Sequence, residues 1–189
     1  MRFRVLDTRL EGPLLLEPRA FADDRGFFME TYRRNELAEV GIPEEFVQDN
    51  HSRSARGVVR GMHFQVGGGV SKLVRCGRGE IVDVLVDIRR GSPTWGEWEA
   101  FTLSDDNKHV LYAPIGFAHG FCVISDIADV LYKQDGYYSE AESEFAWNDP
   151  DVGIEWPLPL DELQVSDRDA QAPRLAEIAD DLPFEYAAQ

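Results

Sequence analysis

Apolar and polar residues alternate with a period of two through the middle of the chain, a pattern typical of β-strands. In GEIVDVLVDIRRGS, Val82, Val84 and Val86 fall on one face of a strand. Asp83 and Asp87 fall on the opposite face. Similar stretches follow in GEWEAFTLS, KHVLYAPIGFAHGFCVIS and ADVLYKQDGYY, and residues that favour turns separate them. The pattern predicts an antiparallel all-β fold, a sandwich or a barrel.

Helix signals are scarce. The best is YRRNELAEVG, a short amphipathic stretch that Gly41 ends in the position after the C-cap. From about Trp147 the chain has several prolines and few strand signals, so we expect a tail that wraps the barrel, with a short helix near residues 172–181. Residues 1–189 are expected to form a single domain.

Composition narrows the class of protein. The chain has 189 residues, 43% of them apolar, which is typical of a folded globular protein. No apolar run reaches membrane-spanning length, and the start MRFRVLDTRL lacks the apolar region of a signal peptide. Cys76 and Cys122 are expected to be small buried hydrophobes, because two cysteines make neither a disulfide framework nor a metal-site spacing. We therefore expect a cytoplasmic protein with no membrane association.

Charge is distributed unevenly. The formal net charge of −16 opposes DNA or RNA as a partner, since nucleic-acid surfaces need excess positive charge. The segment from His51 to Arg78 nevertheless contains six basic residues and no Asp or Glu. Two interpretations remain open at this point: a site for a small anion, or a basic strand pair that faces acidic neighbours.

The stretch GVVRGMHFQ raises the question of chemistry. Arg60 and His63 are three residues apart, so a regular strand would point them to opposite faces. Gly61 between them could carry a β-bulge that turns one side chain. His63, like His119, lies in apolar surroundings where a histidine is commonly structural. The functional alternative for His63 is proton transfer near neutral pH.

Other kinds of site have weaker support. Neither His63 nor His119 has a second histidine or a nearby acid at ligand spacing, so we expect no metal site. The segment VGGGVSK lacks the strand–turn–helix context of a phosphate-binding loop, and we interpret it as a hairpin loop.

A catalytic base needs an orienting carboxylate and often an opposing acid. Tyr132, Tyr137 and Tyr138 in LYKQDGYY are candidate acids, although each could instead pack in the core. Asp167 and Asp169 in SDRDAQAP are candidate orienting carboxylates. The residues alone do not choose among these candidates.

Six blocks, in order from about residue 3 to 175, carry a family resemblance. They are FADDRGFFMETYR, QDNHSRSARGVVRGMHFQ, SKLVRCGRGEIVDVLVDIRRGSPTWGEW, APIGFAHGF, LYKQDGYY and LQVSDRDAQAP. Together they resemble the dTDP-4-dehydrorhamnose 3,5-epimerase family. The resemblance implies a cupin-like antiparallel jelly-roll barrel with a few short helices, a homodimer, and no metal or other cofactor. It also implies a dTDP-linked 4-keto-6-deoxy sugar as the substrate, inverted at C3 and C5 beside the C4 ketone.

The resemblance implies a role for each of four catalytic residues. His63 would be the base, and Asp169 would pair with it, raising its basicity and fixing its tautomer. Tyr132 would return the proton from the opposite face of the sugar. Lys72 would stabilise the enolate oxygen.

The resemblance also implies a substrate-binding set: Arg25, Phe28, Glu30, Gln48, Asn50, Arg60, His119, Tyr138, Glu142 and Arg168. Arg60 would serve the diphosphate and His119 the sugar ring, while Phe28 and Tyr138 would be packing surfaces for the nucleotide. In the family, Arg25 and Glu30 belong to a strand that can complete the pocket of the partner subunit. Two alternatives stay open: a relative that inverts only one carbon, and a non-catalytic nucleotide-sugar binder or metal cupin.

Overall fold

The computed structural model describes residues 2–187 and is built mainly from antiparallel β-strands. The strands are β1 (Phe3–Leu6), β2 (Leu14–Pro18), β3 (Ala20–Asp23), β4 (Gly26–Met29), β5 (Gln48–Ala55), β6 (Val59–Gln65), β7 (Lys72–Arg78), β8 (Glu80–Asp87), β9 (Trp98–Ser104), β10 (Val110–Ala113), β11 (Phe117–Val123), β12 (Ile127–Gln134) and β13 (Glu142–Glu144). The helices are α1 (Arg34–Glu39), α2 (Asp167–Ala170) and α3 (Leu175–Ile178), with 3₁₀ turns at Leu160–Glu162 and Ala179–Asp181. No helix within residues 2–187 is long and apolar enough to cross a membrane.

Two sheets enclose the interior. One has the strand order β1-β2-β10-β7-β12-β5, the other has the order β13-β6-β11-β8-β9, and β3 pairs with β4 as a separate hairpin. Val74 and Val130 of the first sheet pack with Leu85 and Phe121 of the second, and each is at most 4% exposed. Burying a side chain of this size stabilises the fold by about 1.5–3 kcal/mol. The expected all-β, cupin-like fold is confirmed.

Strand β8 is buried on both faces. The face that carries Asp83 and Leu85 points into the interior. The valine face, with Val84 and Val86, points outward and is covered by Phe145 and by residues of the C-terminal segment such as Leu175. The alternation in the sequence therefore predicted the strand correctly, but it did not indicate which face points into the interior.

Helix α1 covers the outer face of the six-stranded sheet, where Leu37 packs with Leu16 and Val110. Gly41 follows the C-cap and has φ +98°, a backbone conformation that L side chains rarely adopt. The predicted end of this helix is confirmed. The helical signal near residues 172–181 corresponds to α3 and the 3₁₀ turn that follows it.

A β-bulge lies between Arg60 and His63. His63 pairs with His119 and Arg60 pairs with Phe121, so Gly61 and Met62 of β6 oppose one residue of β11. The extra residue shifts the alternation of side chains by one position. Arg60 and His63 therefore share the interior face although they are three positions apart. The bulge that the sequence suggested is therefore present.

One expectation about the chain path is wrong. The segment 66–71 is not a hairpin loop, because β6 belongs to the five-stranded sheet and β7 to the six-stranded sheet. It crosses between the sheets. Gly67, Gly68 and Gly69 all have positive φ, which explains the run of three glycines at the crossing.

Candidate active site

His63 and Asp169 form a close pair. His63 lies on the interior face of β6, and its Nε2 is 2.7 Å from Oδ1 of Asp169. Asp169 lies in α2, whose N-cap is Ser166; the Ser166 hydroxyl accepts a hydrogen bond from the Asp169 amide at 3.1 Å. This cap fixes the short helix that carries the carboxylate.

The surroundings of this pair favour the ionised form of Asp169. Burial alone would raise the pKa of Asp169, but hydrogen bonds and the charge of His63 outweigh it and hold that pKa below its usual value. The side chain of Asp169 is 4% exposed and that of His63 is 22% exposed. Asp169 therefore holds Nε2 of the ring, and Nδ1 has no hydrogen-bond partner within residues 2–187.

A cavity of about 430 Å³ opens beside the pair, and Arg60, His63, Arg168 and Asp169 line it. Arg60 donates from Nε to the Ser54 hydroxyl at 3.1 Å. A larger hollow of about 810 Å³ lies against β9 and the C-terminal segment, and none of the predicted site residues lines it. Of these two cavities, only the smaller is lined by predicted site residues.

A second histidine–carboxylate pair lies next to the first. His119 is directly opposite His63 in the register of β11 and β6. Its Nε2 is 2.9 Å from Oδ2 of Asp83, a β8 residue with no exposed surface. Burial raises the pKa of Asp83, while the charges of His119 and Lys72 oppose that effect.

Lys72 and Tyr132 approach from the facing sheet. Lys72 is on β7 and Tyr132 on β12, and the Lys72 ammonium is 6.0 Å from the centre of the Tyr132 ring. Burial lowers the pKa of Lys72, and the charges of Glu142 and Asp83 counteract this. Burial and Glu142 raise the pKa of Tyr132, so its phenol keeps its proton at neutral pH.

Glu142 and Arg168 lie at the edge of the site. Arg168 bonds Glu142 at 2.7 Å and also bonds Glu144, so one guanidinium joins two carboxylates of β13. These hydrogen bonds raise the pKa of Arg168 further above its ordinary value. The ion pairs of Arg168 link α2, which carries Asp169, to β13.

Three amide side chains form a network on β5 and β12. Gln48 and Asn50 each donate to Oε1 of Gln134 at 3.0 Å, and Gln48 also donates to Asn50. The side-chain oxygen Oε1 of Gln48 accepts a hydrogen bond from the backbone amide of Tyr138 at 2.8 Å. The network fixes the orientation of the two amides that the sequence assigned to substrate binding, while the Tyr138 ring stays exposed.

Three predicted residues lie apart from this cluster. Arg25, Phe28 and Glu30 belong to or border the β3–β4 hairpin, where Phe28 is 67% exposed. The Arg25 side chain bonds Asp23, and Glu30 pairs with Arg2 and Arg33. Within the described part of one chain, none of the three contacts the residues around His63.

Sequence reasoning gave no role to Asp83, Gln134 and Glu144. The signal for Asp83 was available, since it is a carboxylate in the strand IVDVLVD with apolar neighbours on both sides. Gln134 and Glu144 carry no such local signal, because their partners come from distant parts of the chain. No group of three or more His, Cys, Asp or Glu side chains within residues 2–187 is arranged to hold a metal ion.

Comparison with known proteins points to one family. The sequence profile of the family described as dTDP-4-dehydrorhamnose 3,5-epimerase matches residues 7–177. A dTDP-4-dehydrorhamnose 3,5-epimerase from Pseudomonas aeruginosa is 50% identical over 174 residues, which cover 90% of this chain and 96% of that protein. A dTDP-4-dehydrorhamnose 3-epimerase from Streptomyces niveus is 43% identical over 173 residues, covering 90% and 83%.

Solved structures give the same result. The crystal structure of a dTDP-6-deoxy-D-glucose-3,5-epimerase from Legionella pneumophila, in complex with dTDP-4-keto-L-rhamnose, has a TM-score of 0.94 and 42% sequence identity. The match covers 98% of this chain and 100% of that one. The chain belongs to the dTDP-4-dehydrorhamnose 3,5-epimerase family.

Proposed function

We propose that this chain inverts C3 and C5 of a dTDP-linked 4-keto-6-deoxy sugar by proton transfer beside the C4 ketone. The observation that carries the proposal is the hydrogen bond between His63 of the five-stranded sheet and Asp169 of α2, with Lys72 and Tyr132 on the facing six-stranded sheet. A proton on a carbon next to a ketone is acidic because the electron pair left behind delocalises onto oxygen. The reaction needs a base, an acid on the other face, and a donor to the oxygen.

His63 is the base. Its Nε2 is engaged by Asp169, which leaves Nδ1 to take the proton from C3 or C5. The Asp169 carboxylate then stabilises the imidazolium that forms. General base catalysis of this kind contributes about 10²–10⁴-fold to the rate.

Lys72 stabilises the enolate. When the C–H bond breaks, its electron pair forms the C=C bond and negative charge develops on the C4 oxygen. An ammonium group at that oxygen contributes on the order of 3 kcal/mol, by analogy with a single oxyanion-hole donor. Burial lowers the pKa of Lys72, and the charges of Glu142 and Asp83 partly offset this effect in favour of the protonated amine.

Tyr132 is the acid that completes each inversion. Its O–H bond breaks, the proton forms the new C–H bond on the opposite face, and the electron pair of the enolate returns to re-form the ketone. Proton exchange with solvent then resets the phenolate and the imidazolium. The raised pKa of Tyr132 supports this role, because the phenol remains a proton donor at neutral pH.

The nucleotide occupies the open end of the barrel. Arg60 faces the diphosphate, a ligand that suits the forked donors of a guanidinium, and Arg168 is a further contact there. Gln48 and Asn50 present oriented amides to the base. We also propose that two chains form a homodimer in which Arg25, Phe28 and Glu30 contribute to the partner's pocket; their distance from the cluster within one chain supports this arrangement.

The direct test is incubation with dTDP-4-keto-6-deoxyglucose in D₂O. We expect deuterium at both C3 and C5 and a product with the L configuration. The His63→Ala variant should lose exchange at both carbons, whereas His109→Ala, in the turn before β10, should retain it. Absence of exchange in the wild-type enzyme would overturn the proposal, and normal exchange in His63→Ala would remove His63 from the mechanism.

A second candidate function is inversion of one carbon alone. The relative from Streptomyces niveus favours it, because that protein is named a 3-epimerase and is 43% identical to this chain. The same incubation separates the two, since a single-centre epimerase would place deuterium at only one carbon. A metal cupin is separated by dialysis against a chelator, after which the activity proposed here should be unchanged.

A further inference from the structure

Asp83 is a carboxylate in an unusual position. It lies in the middle of β8, has no exposed surface, and faces the interior between Ile81 and Leu85. Its Oδ2 contacts Nε2 of His119 at 2.9 Å, whereas its Oδ1 is buried without any hydrogen-bond partner within the described residues. Burying a carboxylate with an oxygen left unpaired costs free energy that an apolar residue at this position would not cost.

A second carboxylate on the same strand gives the comparison. Asp87 lies on the same face of β8 and is also fully buried, but Arg89, Ser92 and Thr94 all bond it. These contacts outweigh burial and keep the pKa of Asp87 below its usual value, so the ionised form stabilises the fold. Asp87 therefore has a structural explanation, and Asp83 has none in the fold alone.

The neighbours of Asp83 are the proposed sugar-binding groups. Asp83 contacts Nε2 of His119, as Asp169 contacts Nε2 of His63, so the rings of two residues paired in the register of β6 and β11 are anchored in the same way. The charge of Asp83 also reaches Lys72 and counteracts the effect of burial on that amine.

We infer that Asp83 is a positioning residue of the active site, which orients the ring of His119 through Nε2. The inference rests on the proposed function, in whose pocket the family resemblance places His119 beside the sugar ring. A buried polar atom without a partner needs an explanation, and groups with perturbed ionisation are concentrated at functional sites.

Asp83→Asn tests the inference, with Asp87→Asn as the matched control. Both variants remove one buried charge from the same face of the same strand. We expect Asp83→Asn to keep or raise Tm and to lower kcat about 10–100-fold with little change in KM, the range seen when a carboxylate that orients a metal-bound histidine is removed. Asp87→Asn should lower Tm and leave kcat unchanged. If Asp83→Asn instead lowered Tm and left kcat unchanged, Asp83 would be a structural residue and the inference would be overturned.

A second measurement does not depend on activity. Oδ2 of Asp83 lies 2.9 Å from Nε2 of His119, so a carboxylate there favours the tautomer that carries its proton on Nε2. Nitrogen NMR shifts of the His119 ring report this tautomer in the folded protein without substrate. Asp83→Asn should change the ring shifts, and Asp87→Asn should not. Unchanged shifts would overturn the inference even if the enzyme is active; changed shifts would support it even if the substrate is another sugar.

A double-mutant cycle tests whether Asp83 acts through His119. The loss in kcat for Asp83→Asn combined with His119→Gln should be close to that of His119→Gln alone, because residues that act as a unit are not additive. Losses that simply multiply would show that the two residues act independently and would contradict the orienting role.

Discussion

Gly120→Ala is the substitution that most directly tests how the fold positions His63. Gly120 opposes the bulge in β6, and a Cβ built on it would lie 2.6 Å from the Met62 sulfur and 2.9 Å from the Arg60 carbonyl oxygen. Ordinary contacts of this kind are about 3.5–4.0 Å, so the strands must separate by roughly 1 Å. Met62 is fully buried and the carbonyl is main chain, so neither yields easily.

The magnitude follows from these distances. Overpacking of a tightly packed site costs about 1–3 kcal/mol. In a chain of this size, Tm should fall by about 2–12 °C. A displacement of about 1 Å at a catalytic group can cost on the order of 10²-fold in rate, so we expect a loss of activity larger than the loss of stability suggests.

The assay compares kcat and Tm of Gly120→Ala with those of Gly91→Ala. Gly91 has φ +77°, and a methyl group added there would meet no atom within 4 Å, so alanine strains the backbone without crowding a neighbour. This control should lower Tm and leave kcat intact. If Gly120→Ala kept its activity while Tm fell, the close approach of the strands would not be what positions His63.

Two further predictions concern the proton-transfer groups. Because the folded-state pKa of Asp169 lies below its usual value of 3.8, its stabilising effect is complete above that pH and is lost as the pH falls through the folded-state pKa; urea midpoints between pH 5 and 2 should therefore decline less in Asp169→Asn than in the wild type. Equal declines would contradict the pairing with His63. Tyr132→Phe should reduce inversion more than it reduces proton removal, measured as product formation against exchange in D₂O; equal losses would make Tyr132 a positioning group.

Local patterns predicted the strands in the middle of the chain, such as β8, since alternation depends only on neighbouring residues. The end of α1 just before Gly41 was also predicted from neighbouring residues. The orientation of β8 could not be predicted in the same way, because both of its faces are buried and the C-terminal segment that covers the valine face is distant in sequence. The prediction of a hairpin at segment 66–71 was wrong for a similar reason, because a glycine run fits a hairpin and a crossing between sheets equally well.

The predictions about the candidate site divide in the same way, into those that depend on neighbouring residues and those that depend on distant ones. The bulge at Gly61 could be predicted because a glycine stands between Arg60 and His63, which a regular strand would point to opposite faces. The contact of His63 with Asp169 spans 106 positions and came only from the family resemblance. Asp83 had a local signal, but its importance depends on His119 and Lys72, which other strands bring to it.

The cationic segment from His51 to Arg78 shows why charge counted along a chain is a poor guide to charge at a site. Alternation in β5 and β7 divides its basic residues between two faces. Arg53 pairs with Asp129 at 2.6 Å on the outer face, whereas Arg60 and Lys72 reach the interior. The Arg53 pair fits a basic strand that faces acidic neighbours, whereas the anion site stays a prediction for Arg60 and Lys72.

The local balance of charge also bears on the proposed homodimer. Around the cluster of one chain, the described cations are Arg60, Lys72 and Arg168, and the carboxylates are Asp83, Glu142, Glu144 and Asp169. A diphosphate would enter a region whose own carboxylates outnumber its cations, in a protein of net charge −16. Arg25 stands on an exposed hairpin with Asp23 as its only ion-pair partner within residues 2–187. A second chain that brings this hairpin to the pocket would add the forked donors of Arg25 rather than net positive charge, because Asp23 and Asp24 lie on the same hairpin. Diphosphate recognition and dimer formation would then depend on the same residue.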